Sequence, residues 1–222
     1  MRTKIRKQHR YLFCNITGLI DLTKATICLF AAFSFFCLAA CSAHIHRSTI
    51  NNGKFVPAEN KILMFIGQDS DTVADYHKEV PEDKIEGVTL YTSLLSASPE
   101  KTLPAIHSPG NWGAGDTDFQ KTLTQFPSAS LAIGLSMAQC QHDHLFQIAQ
   151  GHYDESLDVF IDFIQSIAPR PVFLRIGYEF DGPWNCYTPT PYKEAYRHIV
   201  KRFRARNIQN VAFVWQSGRT LV

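Results

Sequence analysis

Short apolar stretches alternate along the chain with segments whose apolar residues recur at helical spacing. The apolar stretches predict strands at 62–68, 87–94, 130–137, 171–178 and 210–217. The spaced segments predict helices near 71–79, 117–126, 154–167 and 191–206, and a long Gly/Pro-rich loop covers 103–116. On the outer face of the last helix we interpret a group of basic residues as a solvated surface: Lys193, Arg197, Lys201, Arg202 and Arg204. The alternation predicts an α/β fold with a parallel sheet covered by helices.

Two architectures fit this order of elements, an open doubly wound sheet and a (β/α)₈ TIM-type barrel. The strand ends favour the barrel, because polar or aromatic residues close each strand: Gln68-Asp69, Tyr91-Thr92-Ser93, Ser136, Tyr178-Glu179 and Trp215-Gln216. No G-x-G-x-x-G or G-x-x-x-x-G-K-[ST] motif follows a strand, which weakens a nucleotide-binding interpretation. Residues 61–222 therefore predict an incomplete barrel of about five β/α units.

The first 41 residues differ from the rest. A basic segment precedes an apolar run from Ala25 to Ala40, which is shorter than the roughly 20 residues that span a bilayer. The run ends in Leu38-Ala39-Ala40-Cys41, which resembles a bacterial lipoprotein signal and implies export and lipid attachment at Cys41. Secretion without a lipid and an uncleaved anchor are the alternatives. Residues 42–60 are polar and are predicted to tether the anchor to the domain.

Removal of that leader changes the charge balance. It takes away 6 of 22 basic residues and 1 of 20 acidic ones, which leaves 16 against 19 and a net charge near −3. No basic patch then argues for nucleic acid as a partner. Only Cys140 and Cys186 remain beyond the leader, and they could form a disulfide in an exported protein or stay unpaired.

Residues 171–187, PVFLRIGYEFDGPWNCY, carry the clearest chemistry. A buried strand delivers Glu179 into a loop that contains Trp184, and a carboxylate beside an indole suits a sugar-cleaving site. The carboxylate would transfer a proton, and the indole face would stack on a sugar ring. The alternative is a glutamate that pairs with Arg175 or with the helix 191–206 and does no chemistry; Arg175 itself is expected to brace the site or to pair with acids.

Residues from about 61 to 219 resemble glycoside hydrolase family 26, a barrel family that includes β-mannanases. The segments that carry the resemblance are FIGQDSDTVADY (65–76), IAQGHYDESLDVFIDF (148–163), PVFLRIGYEFDGPWN (171–185) and NVAFVWQS (210–217). The resemblance implies a β-linked polysaccharide as partner, no metal or organic cofactor, Glu179 as general acid/base and Trp184 in the sugar site. Further candidate substrate-binding residues are Tyr178, Trp112, Asp181, Asn185 and Trp215. Trp215 could instead fill the barrel core.

Two departures from the family pattern matter. Mannanases usually carry histidine where this chain has Tyr178, so mannan, glucan and xylan stay open. The family's nucleophile closes the seventh strand, and no residue here matches it, so we expect this chain alone to be inactive. The alternative function is a non-catalytic, glycan-binding remnant of a truncated gene.

Other polar residues offer weaker signals. Upstream carboxylates could in principle supply a second acidic group: Asp69, Asp71, Asp116, Asp118 and Asp181. For Asp69, ligand binding or helix capping is the preferred interpretation. The cluster Cys140-Gln141-His142-Asp143-His144 does not match a zinc spacing and is interpreted as a polar loop.

Overall fold

A computed structural model describes residues 53, 55–80, 85–95, 103–111, 115–137, 140 and 144–218. The chain divides after Asn51, and these residues belong to the unit Asn52–Val222. The predicted leader with Cys41, most of the predicted tether, and Trp112 lie outside the described residues. None of the described helices is long and apolar enough to cross a membrane.

Five strands form one parallel sheet, and two short strands form a separate antiparallel pair. The parallel strands are β1 (Phe65–Ile66), β2 (Gly87–Ser93), β5 (Ser130–Ser136), β6 (Val172–Ile176) and β7 (Val211–Val214). The pair is β3 (Gly110–Asn111) and β4 (Asp116–Thr117). The prediction of an unbroken loop was wrong here. The Asn111 side-chain amide donates to Asp116 Oδ1 at 2.6 Å across strands too short to produce a sequence pattern.

Helices fill the connections between the parallel strands. Their bounds are α1 (Ser70–Glu79), α2 (Phe119–Gln125), α3 (His144–Ala149), α4 (Asp154–Ser166) and α5 (Pro189–Ala205), with a 3₁₀ turn at Pro183–Asn185. Four of the five helices match predicted ones, whereas α3 was not predicted, because its 6 residues are too few to show a helical period. Proline begins α5, where its missing N–H would have no partner within the helix.

The order of the strands in the sheet decides between the two predicted architectures. The strands lie in chain order, β1-β2-β5-β6-β7. Right-handed crossovers then place the helices on one side, whereas a doubly wound sheet reverses its order and carries helices on both faces. Buried helical residues cluster with one strand face, which includes Val88, Leu90, Leu131 and Leu174. The fold is therefore α/β and compatible with a partial barrel, while (β/α)₈ closure stays a prediction.

The opposite face of the sheet carries a row of residues near the carboxyl ends of the strands. The parallel register aligns Tyr91 of β2 with Gly134 of β5, Gly134 with Arg175 of β6, and Arg175 with Val214 of β7. These four residues therefore form one row across the sheet on the side away from the helices. The row lies close to the carboxyl ends of the strands, where a parallel α/β sheet places its functional side chains.

A ladder of ion pairs joins α4 to α5. Arg202 donates to Asp158 from Nε at 2.7 Å and from Nη2 at 2.5 Å, and its Nη1 donates to Asp154 at 2.7 Å. His198 Nε2 lies 2.6 Å from Asp154 Oδ1, and Arg206 pairs with Asp162. Arg202 is therefore only partly exposed and is paired with α4, whereas the other residues of the predicted solvated surface, Lys193, Arg197, Lys201 and Arg204, are exposed. The three aspartates on α4 recur every four residues, as do the three basic residues on α5. Each set therefore lies on one face of its helix, and the two faces meet.

We expect the substitution Asp158→Asn to lower the free energy of unfolding at pH 7 by about 0.5–1 kcal/mol, since the pair is partly exposed and screened by solvent. The Arg202 hydrogen bonds lower the pKa of Asp158 from its ordinary value of 3.8. This contribution is fully present above the ordinary pKa and is lost as the pH falls through the lower folded-state pKa. Urea unfolding from pH 7 to pH 3 should show the two proteins converging below about pH 4. The matched control, Asp75→Asn on exposed α1, should change little, and a constant difference across this range would contradict the account.

Candidate active site

Glu179 lies three residues after β6, beyond a sharp change in backbone direction. Gly177 and Glu179 both have left-handed φ angles, +55° and +53°. A Cβ on Gly177 would lie 2.7 Å from both Met137 Cε and Tyr192 Cε2, so only glycine fits there. A glutamate in this conformation is disfavoured and needs support from its surroundings.

Asn185 supplies much of that support. Its Nδ2 donates to the carbonyl oxygens of Tyr178 and Glu179, each at 2.9 Å. The Gly182 N–H also donates to the Glu179 carbonyl at 2.8 Å, and the Phe180 N–H donates to the Gln216 carbonyl at 3.2 Å. The amide of Asn185, predicted from sequence to bind substrate, is therefore directed at the backbone that carries Glu179.

Trp184 contacts the carboxyl group itself. Its Nε1–H donates to Glu179 Oε2 at 2.9 Å. The indole is 58% exposed, and its ring passes so close to Gly182 that a Cβ there would lie 2.5 Å from Trp184 Cε2. The site thus presents an exposed aromatic surface beside a half-buried carboxylate, which is the pairing that the sequence predicted.

Asp181 connects this loop to the segment after β7. The Ser217 hydroxyl donates to Asp181 Oδ2, and the Gly218 N–H donates to Oδ1 at 2.5 Å. The Ser217 hydrogen bond, followed by the Gly218 hydrogen bond, lowers the pKa of Asp181. A Cβ on Gly218 would lie 3.2 Å from Glu179 Cβ, so the same segment packs against the acid. Asp181 is exposed, and both of its oxygens accept hydrogen bonds within the protein.

Arg175 lies between two tyrosine rings. Its guanidinium carbon is 5.1 Å from the Tyr91 ring centre and 5.4 Å from that of Tyr178, within cation–π range. Its Nε donates to Gln216 Oε1 at 2.7 Å and its Nη2 to the Tyr91 hydroxyl at 3.2 Å. This agrees with the expectation that Arg175 braces neighbouring residues, because these contacts are all with neutral side chains.

Tyr178 packs against Tyr91 and directly precedes Glu179 in the chain. Its ring meets that of Tyr91 edge-on at 5.1 Å, and both rings lie over Gly134, where a Cβ would be 2.6 Å from Tyr91 Cδ1. Burial is the main factor that raises the pKa of Tyr178 to about 12, and the neighbouring Tyr187 adds to it. The hydroxyl therefore stays protonated at neutral pH and can donate a hydrogen bond.

A disulfide and a hydrogen bond join the loops that follow β5 and β6. Cys140 and Cys186 are bonded, with their Cα atoms 5.1 Å apart, which resolves the choice that the sequence left open. The Met137 N–H donates to the Tyr187 hydroxyl at 3.1 Å. Cys186 has a left-handed φ of +54° and directly follows Asn185. The disulfide therefore anchors the turn that carries Trp184 and Asn185.

Trp215 lies apart from the row that Tyr91, Gly134, Arg175 and Val214 form on the side of the sheet away from the helices. Its ring contacts Tyr196 at 4.8 Å, and Tyr192 and Phe180 each at 5.1 Å. Tyr192 and Tyr196 belong to α5, so Trp215 packs towards the helix layer, although half of its surface is exposed. Its predicted role as a sugar platform stays a prediction.

The upstream aspartates have local roles. Asp69 caps α1 by accepting from the Asp71 and Thr72 N–H groups at 3.0 and 2.9 Å, and these interactions, led by that of Thr72, lower its pKa. Asp118 caps α2 by accepting from the Lys121 N–H at 2.9 Å. The capping role preferred for Asp69 is therefore observed.

The predicted polar loop after β5 contributes no metal site in the described part of the chain, where no group of three or more possible ligands occurs. Cys140 is in the disulfide, and His144 Nδ1 lies 2.9 Å from the Tyr153 hydroxyl. Residues 141–143 lie outside the described residues. The polar-loop interpretation is correct for Cys140, which lies in a turn, and wrong for His144, which begins α3.

Sequence reasoning did not assign Gln216 or Tyr91 to the site. Both were noted as strand-end polar or aromatic residues, and that position was the available signal. What the sequence could not show is that both contact Arg175, because the contact depends on the alignment of three separate strands.

Comparison with known proteins gives two clear relatives. A β-1,3-xylanase from a Vibrio species is 32% identical over 180 residues, which is 81% of this chain and 36% of the relative. A β-1,3-xylanase from an Alcaligenes species is 31% identical over 180 residues, 81% of this chain and 35% of that protein. The chain is related to glycoside hydrolases. It spans about a third of the length of these relatives, and no protein-family model matches it.

Proposed function

We propose that this chain is a glycoside hydrolase domain of the family 26 type that acts on β-linked polysaccharide. The observation that carries the proposal is the hydrogen bond from Trp184 Nε1 to Glu179 Oε2, which places the carboxylate at the edge of an exposed indole ring. An aromatic surface next to a carboxylate suits a sugar ring held with its glycosidic oxygen near an acid. The strand order, which is compatible with a partial barrel, supports closure of the (β/α)₈ type in the complete fold.

Glu179 is the proposed general acid/base. As an acid it would protonate the departing glycosidic oxygen, and as a base it would take a proton from water in a second step. Both roles need a second carboxylate on the opposite side of the sugar. In the family that the sequence resembles this group closes the seventh strand, so we propose that a part of the barrel beyond the five described parallel strands supplies it.

β-1,3-linked xylan is the proposed substrate among the three polysaccharides that the sequence left open. The support is the name carried by both relatives. The Tyr178 hydroxyl can donate a hydrogen bond to a sugar hydroxyl, which suits any of the three polysaccharides. A glycan-binding protein without catalysis is the second candidate, since binding needs only the aromatic surface.

Affinity electrophoresis of the full chain tests this choice in gels that contain β-1,3-xylan, β-1,4-xylan, β-mannan or β-glucan. We expect retardation by β-1,3-xylan and an affinity about 10-fold weaker in Trp184→Ala, because Trp184 provides the exposed stacking surface. Phe146→Ala is the matched control, because Phe146 is an exposed aromatic residue on α3, and it should bind as the wild type does. Retention of full affinity by Trp184→Ala would contradict the proposed site, and failure to bind any of the four polysaccharides would contradict the proposed function.

We also propose that the protein is exported and carries a lipid at Cys41. The disulfide between Cys140 and Cys186 supports export, because such bonds persist in oxidising compartments. Metabolic labelling with radioactive palmitate in a bacterial host should label the wild type and not Cys41→Ala. Cys37→Ala is the matched control and should keep the label. Equal labelling of wild type and Cys41→Ala would contradict the proposal.

A further inference from the structure

The turn Pro183–Asn185 reaches Glu179 in two ways. Through Asn185 Nδ2 it holds the carbonyl oxygens of Tyr178 and Glu179, each at 2.9 Å. Through Trp184 Nε1 it holds the carboxyl group at 2.9 Å. Backbone and side chain of Glu179 are thus both fixed by consecutive residues of one short turn.

The conformation that this turn holds is one that the chain would not choose by itself. Glu179 has a φ of +53°, and Cys186, which ends the turn, has a φ of +54°. Left-handed backbone at residues other than glycine persists where surrounding contacts enforce it. Asn185 provides two such contacts, one of them at Glu179 itself, so a displacement of Asn185 would remove part of the support for this conformation.

The Cys140–Cys186 disulfide fixes the far end of the turn. It connects Cys186 to the loop after β5 by a covalent bond, near the hydrogen bond between Met137 N–H and the Tyr187 hydroxyl. Both cysteines are exposed, so a small thiol reagent can reach the bond. Loss of the bond would remove the covalent link between the turn and the loop after β5.

We propose that the Cys140–Cys186 disulfide, acting through Asn185 and Trp184, is a positioning element that holds Glu179 and the indole in their glycan-binding geometry. This inference rests on the proposed function and adds to it a dependence on the redox state of the protein. In the reducing step, a small dithiol transfers two electrons and two protons to the disulfide. The S–S bond breaks, two cysteine thiols form, and the dithiol becomes its own cyclic disulfide. Cys140, Cys186 and Asn185 touch no substrate in this proposal.

The Trp184 indole N–H provides a direct spectroscopic readout. The chain contains three tryptophans, so a protein labelled with ¹⁵N-tryptophan gives a simple spectrum, in which Trp184→Phe identifies the Trp184 signal. We expect that signal to move when the full chain is treated with dithiothreitol and to return on reoxidation. The same displacement is expected in Cys140→Ser/Cys186→Ser, which dithiothreitol should then leave unchanged.

A second variant separates positioning from general loss of structure. Asn185→Ala keeps the disulfide and should move the Trp184 signal in the same direction, whereas Gln147→Ala on the exposed side of α3 should not. Circular dichroism establishes that each variant is folded. Affinity for a β-1,3-linked xylo-oligosaccharide should fall about 10-fold on reduction or in Asn185→Ala, because a displaced indole loses part of its stacking on the sugar ring.

The outcomes separate the two proposals. Movement of the Trp184 signal together with the loss of affinity supports the positioning role. An unchanged Trp184 signal after complete reduction overturns it, and so does unchanged affinity in a reduced, folded protein. If the oxidised protein binds none of the glycans, the proposed function fails, while the Trp184 signal still decides whether the disulfide positions the indole.

Discussion

The substitution Glu179→Gln is expected to lower the hydrolysis of β-1,3-xylan by about 10²- to 10⁴-fold in a barrel that also supplies the second carboxylate, the range attributed to a general acid/base. Gln has nearly the shape of Glu and can still accept from Trp184 Nε1, but it cannot deliver a proton to the glycosidic oxygen. Affinity for the oligosaccharide should therefore change by less than about threefold, because ground-state binding does not need the proton. Release of reducing sugar by a fusion of this chain to the part of a related β-1,3-xylanase that it does not match reports the first effect, and calorimetry of the chain alone reports the second. The chain alone is expected to release no reducing sugar.

Glu194→Gln is the matched control for this experiment. Glu194 is exposed on α5, and the same chemical change there should leave hydrolysis unaltered. Hydrolysis that survives in Glu179→Gln at the wild-type rate would contradict the acid/base role. Release of reducing sugar by the chain alone that Glu179→Gln abolishes would contradict the expectation that this chain alone is inactive, whereas glycan binding without hydrolysis fits both that expectation and the glycan-binding alternative.

The substitution Phe203→Ala is expected to lower the free energy of unfolding by about 3–5 kcal/mol, the usual cost of removing a fully buried phenylalanine. Phe203 is fully buried on α5, and its ring contacts Phe160 of α4 at 6.1 Å and Phe213 of β7 at 5.6 Å. The cavity would therefore open where two helices meet the sheet.

Chemical denaturation of the two proteins measures this change. Phe146→Ala is the matched control, because Phe146 lies on α3 with 46% of its surface exposed. Its replacement should cost less than about 1 kcal/mol. Equal destabilisation by the two substitutions would contradict the described packing of α4 and α5 on the sheet.

The strands were the most predictable part of the fold. Predicted strands at 87–94 and 130–137 correspond to β2 at Gly87–Ser93 and β5 at Ser130–Ser136. Both are nearly continuous apolar runs because both of their faces are covered. The first strand was predicted at 62–68 but is only Phe65–Ile66. Ile62 and Met64 belong to the apolar run that suggested the longer strand, but their side chains are exposed and do not pack in the core.

Interactions between distant elements could not be predicted from spacing. The ladder of Asp154, Asp158 and Asp162 with His198, Arg202 and Arg206 depends on the relative register of two helices, which no local pattern encodes. The sequence could not decide whether Cys140 and Cys186 are bonded, because they are 46 residues apart and meet only through the loops after β5 and β6.

For the candidate site, the sequence predicted the residues better than their contacts. It predicted that Glu179 and Trp184 would lie together after a buried strand, and they are hydrogen-bonded. It assigned Asn185 to the substrate, whereas the Asn185 amide holds the backbone of Glu179. That contact arises in an irregular loop with left-handed residues, where neither helical nor strand periodicity gives guidance.

The central claim is that the surface formed by Trp184 and Glu179 binds β-linked glycan. The most direct test is a titration of the ¹⁵N-tryptophan-labelled full chain with a β-1,3-linked xylo-oligosaccharide, followed through the indole N–H signals. We expect a saturable shift of the Trp184 signal. No shift of the Trp184 signal at saturating oligosaccharide would contradict this claim.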